Sequence, residues 1–192
     1  MKRFVGCFFG SFNPIHNGHI KVLMNCFSKL DLDEMWVIVS PSNPLKSRCL
    51  IDENHRLEMV KLATINIPNV VVSNLEFSLS KPNYSINSLS KLVSMFPDTR
   101  FALIIGQDNL VDFHLWKDYT QILDLVEVYA HSRKIAPVDS TSEVSKKIRL
   151  LEFPAIPISS TKIRALLSEN LSVKDFVPSS VNNYIESHNL YR

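Results

Sequence analysis

Apolar residues in this chain follow two rhythms that alternate along its length. Residues 4–9 form an almost unbroken apolar run, FVGCFF, the pattern of a strand buried on both faces. From Ile20 the apolar positions become Ile20, Leu23, Met24, Phe27 and Leu30, the spacing of an amphipathic helix. The same alternation predicts a strand over 34–40 and a helix over 52–65, capped by Asp52, with Leu57, Val60 and Ala63 or Thr64 inward. A short strand is predicted over 69–74, and the polar segment 75–83 reads as a loop. Helical spacing returns over 84–95 through Ile86, Leu89, Leu92 and Val93. Strands over 100–105, 125–130 and 150–153, a short helix over 116–123, and closing helices over 161–167 and 181–187 complete the reading. Residues 41–48 are a proline-containing loop, and 134–147 is a polar excursion.

Strands alternating with helices predict an α/β fold, a parallel sheet with helices on both faces. At 192 residues the chain suits one such domain. Ligands on these sheets sit at the carboxyl ends of strands, near the point where strand order reverses. Polar or reactive residues follow four predicted strand ends, after Phe9, Ser40, Ile105 and Phe153.

Composition narrows the partners. With 45% hydrophobic and 21% charged residues, the chain has the profile of a globular protein in water. A net charge of +2, with no basic run, gives no reason to expect nucleic acid or a membrane as partner. The three cysteines, Cys7, Cys26 and Cys49, are widely spaced, which fits reduced thiols in a cytoplasmic protein. The apolar run after Met1 is too short for a signal peptide and meets a polar turn, and no stretch approaches transmembrane length.

Candidate chemistry concentrates where the first strand meets the first helix. Gly10-Ser11 and Asn13-Pro14 form a turn, and His16, Gly18 and His19 follow it. A helix start offers free backbone N–H groups and a partial positive charge, which suits phosphate. Singly these pieces read as a tight turn and solvated histidines; their conjunction favours a site. Near the other end, Ser159, Ser160 or Thr161 can cap a helix that carries Arg164 in its first turns, where a guanidinium can pair with phosphate. Gly106-Gln107-Asp108 is a weaker helix-start signal, and Lys46 by itself is an ordinary loop lysine. Tyr84, Phe113, Trp116 and Tyr119 fit core packing by their spacing. No Ser–His–Asp or Cys–His set suggests a protein nucleophile.

The segment GSFNPIHNGH (10–19) resembles the G-[ST]-F-[DN]-P-x-H-x-G-H signature of nucleotidyltransferases with a Rossmann-like fold, distant relatives of class I aminoacyl-tRNA synthetases. ISSTKIR (158–164) resembles their I-S-[SA]-T-x-I-R segment, and the two occur in the expected order. Together with IIGQD, the tryptophan after it and the VNNYIESHNLYR ending, they make the chain similar to the nicotinate-nucleotide adenylyltransferase family from residue 4 to 192.

The resemblance implies a doubly wound Rossmann-like sheet and ATP and nicotinate mononucleotide as substrates, with Mg²⁺ carried on ATP and no protein metal site. It implies catalytic roles for His16, His19, Lys46 and Arg164. It places ATP on Gly10, Ser11, Phe12, Gly18, Gly106, Asp108, Ser159, Ser160 and Thr161 with His16, His19 and Arg164. It places the mononucleotide on Ser11, Asn13, Lys46, Tyr84, Ser85 and Trp116, with the indole stacked on the pyridine ring. Residues 160–192 are expected to complete the ATP site. The chain departs from the family pattern after the fifth strand, where His131, Ser132 and Arg133 replace a common Arg-Pro pair, so His131 or Arg133 is the candidate there. Two alternatives stay open: a sister enzyme acting on nicotinamide mononucleotide or phosphopantetheine, and a silent nucleotide-binding module. Homo-oligomerisation is equally open.

Overall fold

The structure is a computed structural model that describes residues 2–42, 50–131, 146–154 and 157–192, with the side chains of Gln107 and Asp108 outside that description. Its centre is a sheet of six strands in the order β3-β2-β1-β4-β5-β6. The strands are β1 (Arg3–Gly10), β2 (Glu34–Val39), β3 (Val70–Ser73), β4 (Thr99–Gly106), β5 (Glu127–His131) and β6 (Ile148–Leu151). Every neighbouring pair is parallel.

The helices are α1 (Asn17–Lys29), α2 (Glu53–Thr64), α3 (Ser85–Met95), α4 (Gln107–Val111), α5 (Tyr119–Leu125), α6 (Ser160–Ser168) and α7 (Ser179–Ser187). Because side chains alternate across a strand, Phe4 and Phe8 of β1 point into one apolar layer and Val5 and Cys7 into the other. The first layer receives Leu23 of α1, Val60 of α2, Ile163 of α6 and Ile185 of α7. Leu89 of α3, Leu110 of α4 and Ile122 of α5 fill the second. Covering both faces explains why the central strands are continuous apolar runs. Strand order reverses between β1 and β4, so their carboxyl ends open a crevice there.

Among the elements that differ from the sequence expectation, four have a local cause. Helix α1 starts at Asn17, not near Ile20, because its first turn is polar and carries no apolar rhythm; Gly18 and His19 are therefore helical and His16 is the N-cap. The segment read as loop 75–83 contains a 3₁₀ turn, Leu75–Ser78, with Glu76 buried. The helix expected over 116–123 begins at Tyr119, after Asp118 takes a left-handed conformation (φ 51°), so Trp116 precedes it. Strand β6 starts at Ile148, two residues early, since Arg149 hides its rhythm by turning out to Glu127 and the Tyr129 hydroxyl, both at 2.8 Å.

Cys7 and Cys26 are buried free thiols; burial raises the Cys26 thiol to about 12 and Cys7 further, so neither is a ready nucleophile. Cys49 lies outside the described residues. Among those described, no helix is long and apolar enough to cross a membrane.

Candidate active site

A cavity of about 420 Å³ opens at the carboxyl ends of β1, β4 and β5, where Gly10, Gly106 and His131 reach its wall. Its volume falls in the range of small-molecule sites. The turn after β1 forms one side. Phe12 there adopts a left-handed backbone (φ 43°), and its buried ring packs edge-on to Phe8 at 5.7 Å and to His19 at 5.2 Å between centroids. Gly10 fits beneath that ring because it has no side chain: a Cβ would lie 2.8 Å from Phe12 Cζ.

His16 and His19 stack with ring centroids 3.7 Å apart, and both line the cavity. The His16 backbone N–H donates to His19 Nδ1 at 3.2 Å. That bond commits Nδ1 as acceptor, so in the neutral ring the proton resides on Nε2, which can then donate to a ligand oxygen. One local contact thus orients the imidazole and selects its tautomer.

Helix α6 closes a second side. The Ser159 hydroxyl caps it, accepting from the Lys162 N–H at 3.2 Å. Ser160 Oγ donates to the Pro14 carbonyl at 2.9 Å, and Arg164 Nη1 donates to the Asn13 carbonyl at 2.8 Å. Two residues near the far end of the chain therefore anchor the helix to the first turn. Thr161 and Arg164 also face the cavity.

The third side comes from α3 and the segment before α5. Tyr84 is the N-cap of α3 and Ser85 its first residue, and both line the cavity. Trp116 tilts over Phe113 at 5.2 Å between centroids; its buried Nε1–H has no hydrogen-bond partner among the described residues. Lys117 Nζ stands 4.8 Å from the centroid of the Tyr84 ring.

Of the residues expected from sequence, Gly10, Ser11, Phe12, Asn13, His16, His19, Tyr84, Ser85, Gly106, Trp116, Ser159, Ser160, Thr161 and Arg164 all line this one cavity. Gly18 does not; it is buried in the first turn of α1. Lys46, Arg133 and the side chain of Asp108 lie outside the described residues. His131 reaches the wall and stacks with Phe153 at 6.3 Å between centroids. Among the described residues no three His, Cys, Asp or Glu side chains converge as a metal set.

Sequence reasoning missed a supporting layer. Glu76 lies on the cavity floor, 3% exposed; Ser88 Oγ donates to its Oε1 at 2.6 Å, and Asn83 Nδ2 donates to its backbone carbonyl at 3.0 Å. Its Oε2 meets no donor at hydrogen-bonding geometry among the described residues, although the Ser40 hydroxyl lies close enough to act on the carboxyl. Burial pushes its carboxyl above the ordinary glutamate value, and the Ser88 and Ser40 hydroxyls oppose this less strongly. No periodic signal marks Glu76. Arg56 did carry one: it sits three and four residues before the inward Met59 and Val60, a charge on the apolar face of α2.

Residues 7–166 match the family described as cytidylyltransferase-like. A protein of Christiangramia forsetii named "Probable nicotinate-nucleotide adenylyltransferase" is 40% identical over the full length of both chains. One of Flavobacterium psychrophilum with the same name is 38% identical over 98% of each. This chain belongs to that family. A solved structure titled as Plasmodium falciparum nicotinic acid mononucleotide adenylyltransferase complexed with NaAD superposes with a TM-score of 0.81, covering 98% of this chain and 97% of its own, at 23% identity. A second from the same organism, complexed with APC, gives 0.77 at 21% identity over 98% and 97%. These two likenesses establish the shared fold.

Proposed function

We propose that this protein joins nicotinate mononucleotide to ATP, giving nicotinate adenine dinucleotide and pyrophosphate, a step of NAD biosynthesis. The observation that carries the reading is the convergence of three walls on one cavity: the His16–His19 pair, the capped start of α6 with Arg164, and the Trp116–Ser85 side. The first two suit a triphosphate, and the third suits a flat aromatic ring bearing an anionic group.

The reaction requires no protein nucleophile. An oxygen of the mononucleotide phosphate attacks the α-phosphorus of ATP in line; the bond to the β-phosphate bridging oxygen breaks, and that oxygen leaves with pyrophosphate. Positioning and stabilisation of spreading negative charge then supply the rate. His19 donates from Nε2 to the α-phosphoryl oxygens, with His16 beside it. Ser11 and the amides near Gly10 hold the mononucleotide phosphate. Arg164 and Lys46 neutralise the β- and γ-phosphates, and Ser159, Ser160 and Thr161 offer the start of α6 to the same anion. Gly106 and Asp108 serve the ribose side of ATP. Trp116 stacks on the pyridine, Tyr84 and Ser85 present the start of α3 to its carboxylate, and Asn13 shapes the turn between the substrates.

Mg²⁺ enters with ATP, its ligands mainly triphosphate oxygens and water. The chain works as a single nucleotidyltransferase domain, residues 1–192, in the cytoplasm, with the C-terminal helices from about residue 160 completing the ATP site. Incubation with α-labelled ATP and nicotinate mononucleotide tests the reading. Label must appear in the dinucleotide and none in pyrophosphate; label that stays in ATP, or appears in free AMP, overturns it.

A further inference from the structure

The cavity wall after β1 is held from behind by residues that no substrate need touch. Arg56 is 1% exposed, and its guanidinium donates to four backbone carbonyls: Ser11 at 2.7 Å, Ser40 at 2.6 Å, Pro41 at 2.9 Å and Ile51 at 3.1 Å. On the other flank the Tyr191 hydroxyl donates to Asn13 Oδ1 at 2.9 Å. Arg164 donates to the backbone carbonyl of the same Asn13, and Tyr191 lies close enough to Arg56 and Arg164 for their charges to favour its ionised form, against the larger opposing effect of burial. Arg56, Tyr191 and Arg164 therefore form one group beneath the turn.

The Arg56 partners are all neutral oxygens, and among the described residues no carboxylate lies within ion-pair distance of it. Burying a guanidinium without a direct ion pair is costly; the four hydrogen bonds, helped by the more distant Asp52 and Glu53 charges, offset a desolvation that still pulls its pKa below the ordinary arginine value. The position of the charge gives it a use. Parallel strands end in carbonyl oxygens, and three of these, from Ser11, Ser40 and Pro41, crowd the carboxyl ends of β1 and β2. Left bare, they would repel a phosphate placed there. Arg56 ties them together and reverses the sign of the local field, with Ser11 and Ser40 between it and the cavity.

We propose that Arg56 and Tyr191 are positioning residues of the adenylyl transfer. Arg56 fixes Ser11 and supplies the positive field for the acceptor phosphate; Tyr191 fixes Asn13 and, through its carbonyl, the Arg164 guanidinium. The proposal rests on the reaction assigned above, and it predicts different kinetic signatures for the two residues. Arg56→Met, similar in length but uncharged, raises KM for nicotinate mononucleotide about tenfold or more while changing KM for ATP little. Arg56→Lys, which keeps the charge and loses the fork, recovers most of that KM but not the full kcat. Tyr191→Phe lowers kcat about three- to tenfold with both KM values unchanged.

Steady-state kinetics per folded molecule, with melting curves in the presence and absence of nicotinate mononucleotide, read all three. Variants that melt lower but keep wild-type kcat and both KM values have lost only a structural tie, and the proposal falls. If Arg56→Met does not fold, Arg56→Lys and Tyr191→Phe decide by the same signatures. If the wild type makes no dinucleotide, the reaction assignment fails by itself. The thermal shift produced by nicotinate mononucleotide then tests the anchor: abolished in Arg56→Met it stands, and equal in the variants or absent in wild type it falls.

Discussion

Gly10→Ala isolates the link between packing beneath the turn and catalysis above it. Gly10 needs no left-handed backbone; what it needs is space. A Cβ there would sit 2.8 Å from Phe12 Cζ and 3.0 Å from Cε1. Carbon atoms pack comfortably at about 3.5–4.0 Å, so the ring must retreat by roughly 0.7 Å. It has nowhere free to go, being 3% exposed between Phe8 and the His19 imidazole. Overpacking of this kind costs about 1–3 kcal/mol, a fall in Tm of roughly 2–12 °C for a chain of this size. The displaced ring carries His19 with it, and since a misplacement of ~1 Å can cost ~100-fold, kcat should drop roughly 10- to 100-fold. Gly6→Ala is the control: its Cβ would meet the flexible Met35 Sδ at 2.8 Å and Leu32 Cδ1 at 3.0 Å, in the sheet interior. It should lower Tm and leave kcat within about twofold. Melting curves and pyrophosphate release for both variants check this. A Gly10→Ala protein with unchanged Tm and wild-type kcat would refute the reasoning.

Three further outcomes follow from the same geometry. His19→Ala removes the proposed donor to the reacting phosphoryl group and should lower kcat by about 10²–10³-fold, equivalent to ~2.7–4 kcal/mol; single-turnover measurement separates this from product release. Trp116→Ala should raise KM for nicotinate mononucleotide roughly 5- to 150-fold, from ~1–3 kcal/mol of lost stacking, and leave KM for ATP nearly unchanged; equal loss for both substrates would remove the stacking role. Glu76→Gln tests a buried acid whose folded-state pKa is raised above 4.5. A raised acid holds its proton longer in the folded state, so its contribution is complete below 4.5 and is lost as pH rises through the folded value. Wild type should therefore lose stability relative to Glu76→Gln as pH climbs above 4.5, measured by urea unfolding across the range; parallel pH profiles would contradict it.

The parts legible in the sequence share a physical cause. Strands β1 and β4 are buried on both faces, so their apolar runs could belong to little else, and α1 and α3 show one wet and one dry side. The motifs were legible because His16, His19 and Arg164 sit in short strings around two helix starts, which the fold brings to one cavity. Invisible were features set by contacts distant in sequence. Glu76 is buried by Ser88 and Asn83 although its neighbours look like loop. The first turn of α1 carries no apolar rhythm, because Asn17 bonds to the distant Asp175 carbonyl, Gly18 has no side chain and His19 lines the cavity, so the apolar spacing starts only at Ile20. Tyr191 meets Asn13 across 178 positions, a pairing no local pattern encodes. Arg56 was the readable exception: a cation on an apolar helix face must find buried acceptors or a buried role.

The most direct test of the account is a comparison of acceptors at fixed ATP. Pyrophosphate release would be followed with nicotinate mononucleotide, nicotinamide mononucleotide and phosphopantetheine, with the products identified by mass. The account predicts the highest kcat/KM with nicotinate mononucleotide, one dinucleotide formed per pyrophosphate, and no turnover of phosphopantetheine. Higher kcat/KM with either other acceptor, or no pyrophosphate with any of them, would contradict it.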